Sequence, residues 1–177
     1  MSIAIRAATP DDAEAIAAIY APYVTGTTIT FEVDPPDGAE IARRIAAVTR
    51  AYPWLVGECD GSVVGYAYAT HYRERAAYRW VCETAIYLAK EATGQRLGAP
   101  LYTALLDALE DHGYVAAVGV IALPNRPSVR LHEKLDFERV GTQPRIGFKN
   151  GTWCDVGLWQ LDLAPRRRAP AEPGPPR

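Results

Sequence analysis

Residues 114–123, read as YVAAVGVIAL, form an almost unbroken apolar run. A strand with one face in water alternates apolar and polar side chains, so a run apolar at nearly every position belongs to a strand covered on both faces. A sheet with helices on its two sides is therefore required. The remaining segments supply both kinds of element. IAIRAA alternates as a short strand, and Thr9-Pro10-Asp11-Asp12 reads as an N-cap with proline at the first helical position and acids in the first turn. That helix runs to about Tyr23, and a second, with Ile41, Ile45 and Val48 at helical spacing, covers about Asp37 to Arg50. PWLVGECDGSVVGYAYAT is two strands about an Asp60-Gly61 turn, and YRWVCETAIYL, Tyr78 to Leu88, is a β-branched and aromatic central strand. A helix from about Leu97 to His112 presents Leu101, Leu105 and Leu109 on one face. After the apolar strand come a short helix in RPSVRLHEKL and a closing hairpin about Asn150-Gly151. The order β-α-α-β-β-β-α-β-α-β-β predicts an α/β (α+β) fold with a mixed, mostly antiparallel sheet of six to seven strands and helices on both faces.

With 177 residues, 49% of them apolar, the chain has the size of one domain able to bury a core. Residues 1–164 are expected to form that domain. The last thirteen residues, PRRRAPAEPGPPR, hold five Pro and four Arg and have nothing to bury, so a disordered tail is expected over 165–177. The tail carries +3 of a net charge of −2, which leaves −5 on residues 1–164 and argues against a nucleic-acid-binding body. No apolar stretch reaches the roughly 18 residues of a membrane span, and MSIAIRAATPDD lacks the basic start and apolar core of a signal peptide. A cytoplasmic protein without a membrane partner is expected. Cys59, Cys82 and Cys154 are few and far apart, without CxxC or Cys/His spacing, so neither a disulfide framework nor a zinc site is indicated. No His or Asp lies locally to activate Cys82, which reads as core filler.

Several residues bear on chemistry. Glu83 is an acid between apolar residues of a strand expected to be central; it is either a carboxylate with a raised pKa, fit to take a proton, or one arm of an ion pair. His132 titrates near neutrality, but a lone histidine on a helix is more often structural. Thr93-Gly94-Gln95-Arg96-Leu97-Gly98 precedes a helix, where backbone N–H groups and the helix N-terminus suit a pyrophosphate. If position 96 has a negative φ, Arg96 is an ordinary backbone donor or an added cation; if φ is positive, it is strained by roughly 1 kcal/mol or more. Arg73, Arg75 and Tyr78 suit a carboxylate or phosphinate, which guanidinium binds in bidentate fashion.

YRWVCETAIYL, TGQRLGAPLYTALL and IALPNRPSVRLHEKLDF, supported by GFKNGTWCDVGLWQLDL, resemble the GNAT superfamily of N-acetyltransferases. Within it they resemble the phosphinothricin and methionine sulfoximine acetyltransferases, over residues 3–163. The loop departs from the family's Gln/Arg-x-x-Gly-x-Gly/Ala pattern at Thr93 and Arg96. The resemblance implies direct transfer from acetyl-CoA to the amine of a small amino acid or analogue, without a metal. It implies Glu83 as general base and His132 as the acid that protonates the departing thiolate. Ile86, Tyr87 and Leu88 are implied to bind the cofactor through main-chain groups, an N–H near Ile86 holding the thioester oxygen. Thr93 to Gly98 are implied to hold the pyrophosphate, with Asn125 and Ser128 on the pantetheine arm. Arg73, Arg75, Tyr78 and Phe31 are implied to line the acceptor pocket, and the subfamily's tendency to dimerise implies a homodimer. Two other readings stay open: a non-catalytic acyl-CoA-binding module, and an acetyltransferase of protein N-termini or lysines.

Overall fold

The computed structural model describes residues 4–167 and 170–174. Ile3 of the first predicted strand, and Arg168 and Arg177 of the tail, lie outside the described residues. The element order is β1 (Ala4–Ala7), α1 (Ala13–Gly26), α2 (Gly38–Val48), β2 (Trp54–Cys59), β3 (Ser62–His71) and β4 (Val81–Leu88), then α3 (Gly98–Asp111), β5 (Ala116–Leu123), α4 (Arg126–Lys134), β6 (Glu138–Lys149) and β7 (Thr152–Asp162). This is the predicted order. β4 begins later than the sequence suggests, because Ala76–Tyr78 wind into a single 3₁₀ turn before the strand starts.

One seven-stranded sheet results, in the order β1-β2-β3-β4-β5-β7-β6. Every neighbouring pair is antiparallel except β4 and β5. Alternation along β3 divides the core between the two faces. Tyr66 packs with Trp54, Val56 and the apolar sides of α1 and α2, including Ile16, Tyr20, Ile41 and Ile45. Ala67 and Ala69 pack on the other face with Cys82, Ala117, Ile121 and the Leu101, Leu105 and Leu109 stripe of α3. β5 is thus buried between helical layers, as its apolar run requires, with one exception: Val120 is 40% exposed. Cys82 is core filler, fully buried, and its thiol is pushed up to about 12 by burial.

The loop between α1 and α2 is tied down by polar contacts that the sequence does not announce. Glu32 accepts from the two terminal nitrogens of the Arg44 guanidinium, at 2.7 and 3.0 Å, and from the Tyr20 hydroxyl at 3.0 Å. Lys149, buried at the end of β6, donates to the Thr30 carbonyl at 2.8 Å. Such charge-assisted contacts hold a loop that has little apolar surface of its own to bury.

Over residues 170–174 the Pro- and Arg-rich tail makes polar contacts with the body. The Trp80 indole donates to the Ala171 carbonyl at 2.8 Å, Arg79 pairs with Glu172 at 2.7 Å, and the Gly174 N–H donates to the His112 carbonyl at 2.8 Å.

Candidate active site

The site is built where a ladder stops. β4 and β5 pair in parallel from Val81↔Ala116 to Thr84↔Gly119 and no further, while β4 continues against β3 as far as Gly65↔Leu88 and β5 against β7 as far as Leu123↔Asp155. Ala85 to Leu88 therefore face a wedge. Two hydrogen bonds fix which groups point into it. The Trp80 carbonyl accepts from Val115 N–H at 2.9 Å on the β5 side, and the Ala89 N–H donates to the Val64 carbonyl at 2.8 Å on the β3 side. Because backbone groups alternate sides along a strand, the N–H groups of Ile86 and Leu88 point into the wedge and that of Tyr87 points to β3. The Leu88 carbonyl is taken by the Tyr23 hydroxyl at 2.7 Å.

The same alternation places the side chains. Glu83 stands opposite Thr70 on the α1–α2 face, one residue before the last β4–β5 rung. Its carboxylate has no hydrogen bond or ion pair among the described residues, so the ion-paired alternative for Glu83 finds no arginine. Burial raises its pKa above the ordinary carboxylate value, against a smaller lowering by His71. Val120 lies on this face just past the last rung, uncovered by helix, which explains its exposure. Beside Thr70, a cavity of about 300 Å³ runs between α2 and the sheet, lined by Tyr20, Ile41, Arg44, Trp54 and Tyr68.

His132 is on the opposite face. It reaches from α4 over Gly119, where a Cβ would fall 2.5 Å from its ring, so only glycine fits beneath it. The ring is 3% exposed, with Nδ1 at 2.8 Å from the Ser128 carbonyl and Nε2 at 3.0 Å from the Tyr102 hydroxyl, which lies 2.7 Å from Thr84 Oγ1. A carbonyl only accepts, so Nδ1 carries the proton and Nε2 accepts from Tyr102. Burial lowers the His132 pKa, the Ser128 carbonyl partly opposing it. The resting imidazole is neutral, with no Nε2 proton to give. Asn125 caps α4, accepting from Ser128 N–H at 3.2 Å.

The residues expected to line an acceptor pocket are divided: Arg73, Arg75 and Tyr78 lie in the segment that leads into β4, whereas Phe31 lies by β6 beyond the Leu123 end of β5. Phe31 packs its ring against Gly147 of β6, while Arg73 stacks over Tyr72 at 5.0 Å and over Tyr78 at 5.9 Å. Arg75 precedes the 3₁₀ turn and makes no side-chain bond among the described residues. Among the described residues no hydrogen bond or ion pair joins either arginine to Glu83. Sequence reasoning missed Tyr102 and Thr84. Tyr102 sits in an apolar helix stripe and looks like core; the available signal is that a buried tyrosine needs a partner for its hydroxyl.

An acetyltransferase (GNAT) domain matches residues 5–158. The chain belongs to this acetyltransferase family. It is 40% identical to phosphinothricin N-acetyltransferase of Streptomyces viridochromogenes, over 99% of this chain and 93% of the relative. It is 36% identical to the L-methionine sulfoximine/L-methionine sulfone acetyltransferase of Pseudomonas paraeruginosa, over 96% and 100%. The crystal structure of a GNAT phosphinothricin acetyltransferase from Sinorhizobium meliloti in complex with AcCoA superposes with a TM-score of 0.89 at 36% identity, covering 92% of this chain and 89% of that one.

In this acetyltransferase the loop from Thr93 to Gly98 leads from the wedge end of β4 into α3. Thr93 Oγ1 donates to the Lys90 carbonyl and the Gln95 side chain to the Glu91 carbonyl, each at 2.6 Å, leaving both side chains occupied locally. Leu97 is buried, and a Cβ at Gly98 would meet Leu88 and Leu131 at ordinary contact distance. Gly94 has φ +78° and Arg96 φ +63°. Arg96 therefore takes the left-handed conformation that glycine holds without cost, which decides between the two backbone possibilities open from sequence. Arg96→Gly is expected to stabilise the free protein by about 1 kcal/mol, or about 2–4 °C in thermal midpoint for a domain of this size. An unchanged or lower midpoint contradicts the strain. Titrating CoA at low and high salt reads separately what the guanidinium adds to binding.

Proposed function

We propose that this protein transfers the acetyl group of acetyl-CoA to the amine of a small amino acid or analogue of the phosphinothricin or methionine sulfoximine kind. The observation that carries this is the wedge: free N–H groups at Ile86 and Leu88, with an unpaired, desolvated carboxylate at Glu83 on one face and the mouth of the Thr93–Gly98 loop at the far end of β4. Acetyl-CoA supplies the activated acyl group. The Ile86, Tyr87 and Leu88 backbone, the loop from Thr93 to Gly98, Asn125 and Ser128 are its binding residues in this reading.

The faces divide the work. The acceptor lies on the Glu83 side, over Val120 and beside the cavity at Thr70, with Phe31, Tyr78, Arg73 and Arg75 around it. Arg75, free of internal partners, is the better placed of the arginines to meet a carboxylate or phosphinate. Glu83 takes one proton from the substrate ammonium, directly or through a water, and the free amine attacks the thioester carbon. The carbonyl oxygen, gaining charge, is held by the Ile86 N–H. The adduct expels CoA as thiolate, which ends protonated, while the nitrogen's second proton is released. His132 is the proton donor in this reading, and it acts only as the imidazolium, which its surroundings make scarce at neutral pH.

The carboxylate form of Glu83 is lost as pH falls through a value above 4.5, and the imidazolium is lost as pH rises through a value below 6.5. A kcat that declines through that upper limb supports His132 as donor; one that stays level above pH 7 assigns the thiolate's proton to the ammonium of the adduct. Glu83→Gln is expected to lower kcat by roughly 100-fold or more with acetyl-CoA binding little changed. A variant within about threefold of the parent removes Glu83 from the chemistry. Arg75→Ala is expected to raise KM for a carboxylate-bearing acceptor by roughly 10- to 100-fold, far more than for acetyl-CoA; equal effects contradict an acceptor role. Retained turnover in the parent excludes a purely binding module.

The protein is further proposed to act in the cytoplasm as a homodimer. Supporting the dimer, the β6–β7 hairpin exposes Ile146, Phe148 and Trp153, the last two in ring contact, a patch suited to a second copy. Among the described residues no helix is long and apolar enough to cross a membrane. Light scattering that returns the monomer mass of 19.3 kDa overturns the dimer.

A further inference from the structure

We propose that Tyr102 and Thr84 are positioning residues for His132, forming a hydrogen-bond chain that can run in either direction and so lets the buried imidazole hold one proton or two without stranding a donor. The proposal rests on His132 belonging to the site. Three distances define the chain: His132 Nε2 to Tyr102 hydroxyl 3.0 Å, Tyr102 hydroxyl to Thr84 Oγ1 2.7 Å, and Thr84 Oγ1 to the Val118 carbonyl 3.4 Å. With neutral His132, the Thr84 hydroxyl donates to Tyr102, and the Tyr102 hydroxyl donates to Nε2. With the imidazolium, every bond reverses: Nε2–H donates to the Tyr102 oxygen, Tyr102 turns its proton to Thr84 Oγ1, and Thr84 turns its proton to the Val118 carbonyl, an acceptor that is idle toward the hydroxyl in the first state. Nδ1–H donates to the Ser128 carbonyl in both. A hydroxyl has one proton and two acceptor sites, so a hydroxyl pair ending on a spare carbonyl is the least that permits the reversal.

The need for such a chain follows from burial. Tyr102 is fully buried and His132 nearly so, and a buried N–H without an acceptor costs most when it carries charge. The groups that face the ring are few: Ser128 from α4, Tyr102 from α3, the Phe137 ring at 4.9 Å between centroids, and the backbone of Gly119 from β5. Burial above all, with the charge of the Glu83 carboxylate adding to it, disfavours the Tyr102 phenolate against a smaller lowering by Thr84, which keeps the hydroxyl protonated in both states. The chain also crosses the last paired rung: Thr84 is the final β4 residue in the ladder, and Val118 its neighbour on β5. The proton state of His132 is thereby tied to the point from which the wedge opens.

Tyr102→Phe removes the acceptor for Nε2–H. A hydrogen bond to a charged group is worth more than one to a neutral group, so the variant is expected to lower the His132 pKa by about one unit, read from the imidazole resonances by NMR. Thr84→Val, which blocks the reversal, is expected to move the titration in the same direction, and Thr84→Ser to restore it. KM for acetyl-CoA is expected to stay within about threefold in all three, and the upper limb of the kcat–pH profile to follow the NMR titration. A titration that shifts while that limb stays in place sustains the chain and removes His132 as the thiolate's proton donor. Tyr102→Phe and Thr84→Val proteins that titrate like the parent, or a Thr84→Ser protein that does not restore the parental value, overturn the proposal. Should Tyr102→Phe fail to fold, the Thr84→Val and Thr84→Ser pair decides the same question.

Discussion

The seam at Thr84 and Gly119 is the constraint on which the rest of this protein depends. Up to that rung, β4 and β5 are one parallel ladder; beyond it each strand keeps only its outer partner, β3 or β7. Unpaired backbone groups inside a sheet are costly, and a fold keeps them only where something else makes use of them. Packing on one face holds the seam in place. His132 occupies the space over Gly119, and Tyr102 bonds Thr84 from α3, so the last rung is fixed by two helices that contact it from the same side. On the other face α1 and α2 stop short of Val120, leaving a floor open next to Glu83.

Electrostatics are apportioned in the same way. Glu83 is left unpaired and half-buried, while the acids and bases that hold the frame are paired: Glu32 with Arg44, Asp12 with Arg6 at 2.7 Å, Asp162 with Arg166. The frame pairs fix loops and strand ends, where propensity and apolar area are weak. Glu83, by contrast, gains reactivity from the missing partner, since a carboxylate stripped of water and cations binds a proton more readily.

Much of the fold was legible. The apolar run at 114–123, the Pro10 helix start and the turns at Asp60-Gly61 and Asn150-Gly151 each carry a local physical cause, and the eleven helices and strands of the described residues follow in order. That Glu83 stands in a central strand was legible; that no arginine meets it there was not, because the sequence left the ion pair open. What escaped the sequence depended on tertiary placement. Nothing in the letters of AIYL says that β5 leaves β4 at that point, because the free N–H groups belong to the backbone. The φ of Arg96 is set by how the loop meets α3, and an arginine shows no preference that betrays it. Tyr102 looked like core and is core, but its hydroxyl partners come from β4 and α4, eighteen and thirty residues away. The tail offered only composition, and its anchors, Trp80, Arg79 and His112, lie far back in the chain.

The central claim is that β4 presents free amides to the wedge and that acetyl-CoA occupies them. Residue-resolved amide hydrogen exchange tests it most directly. In the free protein Ile86 and Leu88 should exchange much faster than Tyr87, whose N–H faces β3, although all three lie in one strand. Saturating acetyl-CoA should slow Ile86 and Leu88 by at least about tenfold, as a hydrogen bond worth over 1 kcal/mol requires, while Tyr87 changes little. Equal protection of the three amides in the free protein, or no slowing at Ile86 on binding, would contradict the account.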